Sequence, residues 1–279
     1  MEKRRSALFW GELPKAITTL GPEDKFPRAG PDGQLFLETD RTCWLWRSGK
    51  LIRAEKPNAQ DTFAGWSHSG VLLQFEKGLF ELALAGLRSS KLFGSATYFP
   101  GPGGTDYAAD DGYLWLVQPE SRKRVLRESG GYDTTFSLIG RWLLVSVCDR
   151  HHSSLRAFQP RTGKVKTLLE TRSMYVNVAE AFDKSQAWIT IGIRGGSYNA
   201  PPTRCQLYKL DSRTLRLSKV MKMPFWFDHE IEASPGRLVG LQTDYYPLGG
   251  SGSVREVDVR HHQWKTLIPD AVGFTALRW

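Results

Sequence analysis

Long apolar runs are missing from this sequence, and none approaches the roughly 18 consecutive residues that a membrane-crossing helix requires. At the amino terminus Met1 to Arg5 are basic, but the apolar stretch Ala7 to Trp10 is interrupted at once by Glu12, Pro14 and Lys15. That is short of the about 7–15 apolar residues of a secretory signal. A soluble, unexported cytoplasmic protein with no membrane partner is expected. Cysteine is scarce as well: Cys43, Cys148 and Cys205 are odd in number, far apart and without C-x-x-C spacing. This argues against a disulfide framework and a zinc knuckle alike. Each lies in an apolar run, as expected of a small buried thiol in a reducing compartment.

Catalytic signatures are absent too. Gly101-Pro-Gly-Gly and Gly249-Gly-Ser-Gly-Ser do not match a phosphate-binding loop that opens a helix. There is no Gly-x-Ser-x-Gly elbow, and no Ser or Cys stands beside an identifiable base. No catalytic residue is assigned, and no metal-ligand set is recognised by spacing.

What is present is a repeat. A four-residue alternating strand is followed by a short polar turn and a basic residue that opens a second strand. Leu155 to Phe158, Gln-Pro-Arg-Thr-Gly and Lys164 make the clearest copy. Others are Leu207 to Leu210 with Arg216, Val254 to Val257 with Lys265, Leu114 to Val117 with Lys123, and Cys43 to Trp46 with Lys50. Leu79 to Leu82 with Lys91, and Ala7 to Trp10 with Lys15, are weaker copies. The markers Trp10, Trp46, Leu82, Val117, Phe158, Leu210 and Val257 lie roughly 35 to 52 residues apart, the spacing of a four-stranded repeat. Further strands are expected upstream, at Thr134 to Ile139, Trp142 to Cys148, Trp188 to Ile193 and Leu238 to Gln242. These segments are short, rich in β-branched and aromatic residues, bounded by Gly, Pro, Asp and Ser, and free of helical periodicity.

The segment Phe136 to Leu169, with Gly140-Arg141 before Trp142 to Val147 and Thr162-Gly163-Lys164 in the later turn, resembles repeats of the WD-like and YVTN-like β-propeller superfamily. The chain lacks the Gly-His and Trp-Asp signatures of true WD repeats. The resemblance is one of fold, and it implies a single all-β domain spanning 1–279: a closed β-propeller of about seven blades. Its last blade would join the N-terminal strands to an inner strand at Ala271 to Trp279, which would hide the unpaired strand edges.

With strands a to d numbered from the centre outward, the b-to-c and d-to-a connections share one face and the short turns share the other. Long b-to-c loops are expected at Gly101 to Asp111, Asp149 to Ser154, Arg194 to Arg204 and Thr243 to Gly252. Long loops on a rigid scaffold are where binding groups gather. Tyr107, Tyr198, Tyr245 and Tyr246 accompany Asp110, Asp149, Arg150, Arg194 and Asn199 there. The inner strands enter from the same face and begin with polar residues: Asp61, Tyr132 with Asp133, Tyr175 with Asn177, and Trp226 with Asp228, His229 and Glu230. Such groups suit a small polar ligand or a divalent cation, although Asp and Asn also cap strand ends. His152, after Asp149, is a further candidate, whereas His261 and His262 fall in a turn on the other face.

Net charge is +9, but Lys and Arg are spread along the chain. Those opening outer strands guard sheet edges against addition by other chains, so nucleic acid is a secondary candidate partner. The leading expectation is a noncatalytic binding or scaffold protein that engages a protein partner through its loop face. The alternative is a metal-dependent hydrolase or lyase acting on a small polar or sugar-like substrate at the channel mouth.

Overall fold

The computed structural model describes residues 6–10, 15–20, 28–30, 34–39, 41–56, 62–75, 78–90, 96–101, 104–110, 113–118, 121–127, 133–148, 152–172, 174–180, 185–193, 202–227, 229–243 and 252–271. Among them every regular element is a β-strand. A hairpin of β1 (Ser6–Trp10) and β2 (Lys15–Leu20) comes first. Four-stranded antiparallel units follow, each laid down in chain order. The first is β3 (Arg28–Ala29), β4 (Leu35–Glu38), β5 (Thr42–Arg47) and β6 (Lys50–Glu55). Next come β7 (Thr62–Trp66), β8 (Gly70–Phe75), β9 (Gly78–Ala83) and β10 (Gly86–Ser89), then β11 (Thr97–Pro100), β12 (Asp106–Asp110), β13 (Tyr113–Gln118) and β14 (Ser121–Arg127). The fourth holds β15 (Asp133–Ile139), β16 (Trp142–Cys148), β17 (Ser153–Gln159) and β18 (Lys164–Thr171). The fifth holds β19 (Met174–Glu180), β20 (Gln186–Ile193), β21 (Thr203–Asp211) and β22 (Leu217–Lys222), and the sixth β23 (His229–Ser234), β24 (Arg237–Thr243), β25 (Gly252–Asp258) and β26 (Gln263–Ala271).

These units match the expected repeat. The tetrads from Cys43–Trp46 to Val254–Val257 fall in the third strands of the four-stranded units, whereas Ala7 to Trp10 falls in β1. Lys15, Lys50 and Lys164 open the strand that follows, but, against expectation, Lys123 and Lys265 are the third residues of β14 and β26, and Arg216 immediately precedes β22. The turn between third and fourth strands has a recurring chemistry. Asp211 accepts hydrogen bonds from the backbone N–H groups of Arg213 (3.0 Å) and Thr214 (2.8 Å) before Leu215 takes a positive φ of 54°. Asp258 does the same for Arg260 and His261 before His262, also at 54°. At Ser48 and Gly49 both φ angles are positive (49° and 73°), as the right-handed strand twist requires of a two-residue hairpin turn.

Packing runs between the sheets. All seven residues of β16 are buried. Because alternate side chains on a strand point to opposite faces, Leu143, Val145 and Val147 pack with Tyr107, Leu114 and Phe158 on one side. Trp142, Leu144 and Cys148 join the large cluster of Ile189, Leu207, Phe227 and Val257 on the other. Each such apolar side chain contributes about 1.5–3 kcal/mol by leaving water. The first strands follow one another in space, β15 beside β19 and β19 beside β23. The fourth strands, such as β14 and β18, are mostly exposed and basic at their starts.

Three further expectations are corrected. The partner of Leu79 to Leu82 is β10, opening at Gly86 rather than Lys91. Ala83 pairs Gly86 across the short turn Leu84–Ala85, and the positive φ of Gly86 (96°) permits the reversal. Gly101 to Asp111 is not a long b-to-c loop. Gly101 N–H donates to the Thr105 carbonyl at 2.7 Å to close a tight turn, and Asp106–Asp110 is the second strand of its sheet, paired with β11. Tyr107 is therefore a core residue, 2% exposed, with its ring 6.5 Å from Phe158 in edge-on packing. Ala271 ends β26 rather than starting an inner strand; 272–279 lie outside the described residues.

One backbone approach is close enough to test. β7 and β11 pair in parallel at Gly65 and Tyr98, fusing two units into an eight-stranded sheet. Gly65 has φ 136°, and a Cβ there would lie 2.0 Å from the Tyr98 carbonyl oxygen. Gly65→Ala is expected to destabilise the protein by about 1–3 kcal/mol or more, read from chemical denaturation.

Candidate functional site

The strand registers sort the connections onto two ends, as the repeat implies. At one end β15 begins at Asp133, opposite Cys148, β19 at Met174, opposite Ile193, and β23 at His229, opposite Leu241. Residues 194–202 and 244–251 join the second and third strands of the last two sheets at this loop end. The opposite end carries short turns such as Ser48–Gly49.

Several candidates meet beneath the loop end. Tyr175 on β19 and Trp226, in the connection between β22 and β23, have ring centroids 6.3 Å apart at 55°. They are 7% and 4% exposed. Gly192 makes room for them: a Cβ at that position would lie 2.7 Å from Pro202 Cβ, 3.0 Å from Trp226 Cε3 and 3.2 Å from Cys205 Sγ. The connection itself is apolar and inserted into the protein, with Met223, Phe225 and Phe227 buried and the last two rings 5.0 Å apart. Asn177 fastens it. Its side-chain amide donates to the Phe227 carbonyl at 3.2 Å and its carbonyl accepts from Val178 N–H at 2.9 Å. Asn177 is the fourth of the seven residues of β19, so its expected place among the first residues of an inner strand is corrected to mid-strand, where its amide ties backbone groups.

The remaining candidates are dispersed. His152 precedes β17 and its Nε2 lies 3.1 Å from Glu170 Oε1. Tyr107 sits near the start of β12, at the turn end. Asp133 and His229 open β15 and β23 at the loop end. Tyr132, Asp149, Arg194, Tyr198, Asp228, Tyr245 and Tyr246 lie outside the described residues. Among the described residues no three His, Cys, Asp or Glu side chains come together as a metal site. The three cysteines are buried and form no disulfide.

Polar groups that the sequence does not single out are assembled by long-range packing. At the loop end of the first sheet, Lys56 Nζ is buried and sits 3.2 Å from Glu38 Oε2 and 3.0 Å from the Thr39 carbonyl. At the turn end, His68 Nδ1 lies 2.8 Å from Asp106 Oδ1, and Arg47 donates to the carbonyls of Ser69 and, at 2.8 Å, His68. Three successive four-stranded units, the last two fused in one sheet, are thereby tied together. Burial alone would raise the Glu81 carboxyl, but hydrogen bonds from Ser67, Ser69 and Arg88 hold it below the ordinary carboxylate range. Further out, burial pushes the Tyr98 phenol up to about 12, with Arg122 drawing it down and Asp110 raising it. No pattern in the sequence joins these residues, because each pair comes from different strands or sheets.

Set against solved structures, the chain is similar to the tricorn protease, with a TM-score of 0.58 and 10% identity over 90% of this chain and 31% of that one. It is also similar to a puromycin hydrolase, with a TM-score of 0.55 and 14% identity over 91% of this chain and 49% of that one. The matching regions are β-propellers. The fold is a β-propeller. At such identities the likeness extends to the propeller and no further, and the chain spans less than half the length of either protein. No family model matches the propeller sequence, and no curated protein matches it. No helix among the described residues is long and apolar enough to cross a membrane.

The Lys56–Glu38 pair gives a direct test of how the loop end is held. Lys56→Met leaves a buried carboxylate without its cation and is expected to cost about 3–5 kcal/mol in unfolding free energy. Combining it with Glu38→Leu is expected to restore most of that loss. A single-variant loss below about 1 kcal/mol would mean that the pair is solvated rather than structural.

Proposed function

We propose that the protein is a noncatalytic binding module that engages a protein partner through the loop end of its propeller. The observation that carries this reading is the asymmetry of the two ends. Residues 194–202 join β20 to β21 and residues 244–251 join β24 to β25, whereas the described turns at the other end, such as Ser48–Gly49, are short; Tyr175 and Trp226 pack together beside this loop end. These connections contain Tyr198, Tyr245, Tyr246 and Arg194, residue types that dominate the energetics of protein interfaces. We take the ring to close as about seven blades, with β1–β2 and residues 272–279 completing the last. The buried cluster of Val239, Leu241 and Val254 on the sixth sheet supports such a covering.

The test is capture of partners from a lysate of the native organism, followed by calorimetry with the purified partner. A Tyr245→Ala/Tyr246→Ala variant is expected to lose at least about 2 kcal/mol of binding free energy, as interface anchors do. Unchanged affinity, or no reproducible partner, would overturn the reading.

The second reading, a metal-dependent hydrolase or lyase, rests on the adjacency of β15, β19 and β23. That order puts Asp133 and His229 at the first positions of β15 and β23, with Asn177 at the fourth position of β19 between them. The two structural neighbours, a protease and a hydrolase, are compatible with it. Against it, the Asn177 side chain already holds backbone groups. On this reading the unchelated protein carries one divalent ion, measured by elemental analysis, and Asp133→Ala abolishes it. Equal metal content in the two proteins would remove the reading.

A further inference from the structure

The outer half of the β11–β14 sheet carries a ladder of alternating rings and guanidinium groups. Tyr113 and Trp115 stand on one face of β13, with ring centroids 6.1 Å apart. On the neighbouring β14, Arg124 is opposite Trp115 and Arg122 opposite Val117. The Arg122 guanidinium lies 4.3 Å over Trp115, and that of Arg124 3.8 Å over Tyr113 and 5.2 Å from Trp115. Asp110, at the end of β12, accepts a hydrogen bond from Arg122 Nη1 at 2.9 Å. At its inner edge Trp115 packs on the cluster of Leu72, Tyr98 and Val117, so the ladder is anchored in the core.

β14 is the outermost strand of its sheet, exposed from Ser121 to Arg124. It contains Arg122, Lys123, Arg124 and Arg127 and no carboxylate. The next sheet extends the positive rim: Arg156 donates to the Arg127 carbonyl at 3.4 Å, and β18 opens with Lys164 and Lys166.

We propose that this arginine–aromatic ladder is a docking surface for the phosphate backbone of a nucleic acid. A guanidinium laid on an aromatic ring has its plane set before binding, and its outward N–H edge matches two oxygens of one phosphate. Stacking also spares Arg122 and Arg124 much of the side-chain entropy that a free surface cation loses on binding. The cations of β14 recur along a line, as backbone phosphates do, and the net charge of +9 favours their approach. An acidic protein offers equivalent oxygens, but its carboxylates are fixed by its own fold rather than strung along a flexible chain.

The experiment is fluorescence anisotropy with a labelled oligo-dT, repeated over a series of salt concentrations, with polyglutamate of matched charge as competitor. Arg122→Gln/Arg124→Gln is expected to weaken binding at least about ten-fold at low salt. It should also reduce the slope of log affinity against log salt by about 1.4, the loss of two phosphate contacts to a single strand. Lys219→Gln/Lys222→Gln on β22, which removes the same charge elsewhere, is expected to have a much smaller effect. Arg122→Lys/Arg124→Lys keeps the charge but not the stacked fork and should also weaken binding, while Asp110→Asn should tighten it. Melting curves accompany each variant, and if the glutamine pair fails to fold, the lysine pair and Asp110→Asn decide. Absence of oligonucleotide binding, equal losses from the β14 and β22 pairs, full affinity in the lysine pair, or displacement of the oligonucleotide by polyglutamate at equal charge would each overturn the proposal.

Discussion

Everything in this molecule depends on strands that have no polar face. β16, Trp-Leu-Leu-Val-Ser-Val-Cys, is buried along its whole length, and a sheet containing it needs a neighbour on each side. Leu143, Val145 and Val147 require the β11–β14 sheet, while Trp142 and Leu144 require the β19–β22 sheet. A layered two-sheet sandwich satisfies only one face of each sheet. Successive sheets that each face two others satisfy both, and the common arrangement of that kind is radial. Polar groups are accommodated in the seam only with partners: Ser146 Oγ and Cys148 Sγ donate to the Val176 carbonyl on the next sheet, at 3.3 and 3.4 Å.

The same constraint distributes chemistry to the periphery. With the sheet faces consumed by packing, groups available for recognition are left at the strand ends and on the outermost strands. The two ends are unlike. At the turn end the backbone reverses through caps such as Asp211 and Asp258, and a hydrogen-bond network links Arg47, His68 and Asp106 across three four-stranded units. At the loop end the connections β20–β21 and β24–β25 are longer in sequence. The outer strands, with Arg and Lys at regular places, form a third kind of surface.

The fold was legible because its repeat is local. A tetrad, a capped turn and a basic residue lie within about a dozen residues of one another, and the strand period of two is visible in Leu155 to Phe158 or Val254 to Val257. Legibility failed where local chemistry was atypical. Leu84-Ala85-Gly86 turns the chain without a polar residue, and Asp106-Tyr-Ala-Ala-Asp is a strand whose acidic ends and small residues read as loop. That misreading put Tyr107 on a surface when it is in the core. The site was less accessible still. The adjacency of Tyr175, Gly192 and Trp226, or of Lys56 and Glu38, depends on pairing between strands and sheets, which no spacing in the sequence encodes. Asn177 was recognised as a polar residue at an inner strand, but only its bond to the Phe227 carbonyl distinguishes a structural tie from a ligand.

That tie has a mechanical consequence. Asn177 belongs to the fifth sheet and the Phe227 carbonyl to the segment that leads into the sixth, and Phe225, Trp226 and Phe227 are sunk between them. The two sheets that bear the longest excursions are thus bolted into a single block and cannot rock independently. A molecule gripping both would meet one stiff surface. Much of the ordering entropy of such an encounter would already have been spent in folding.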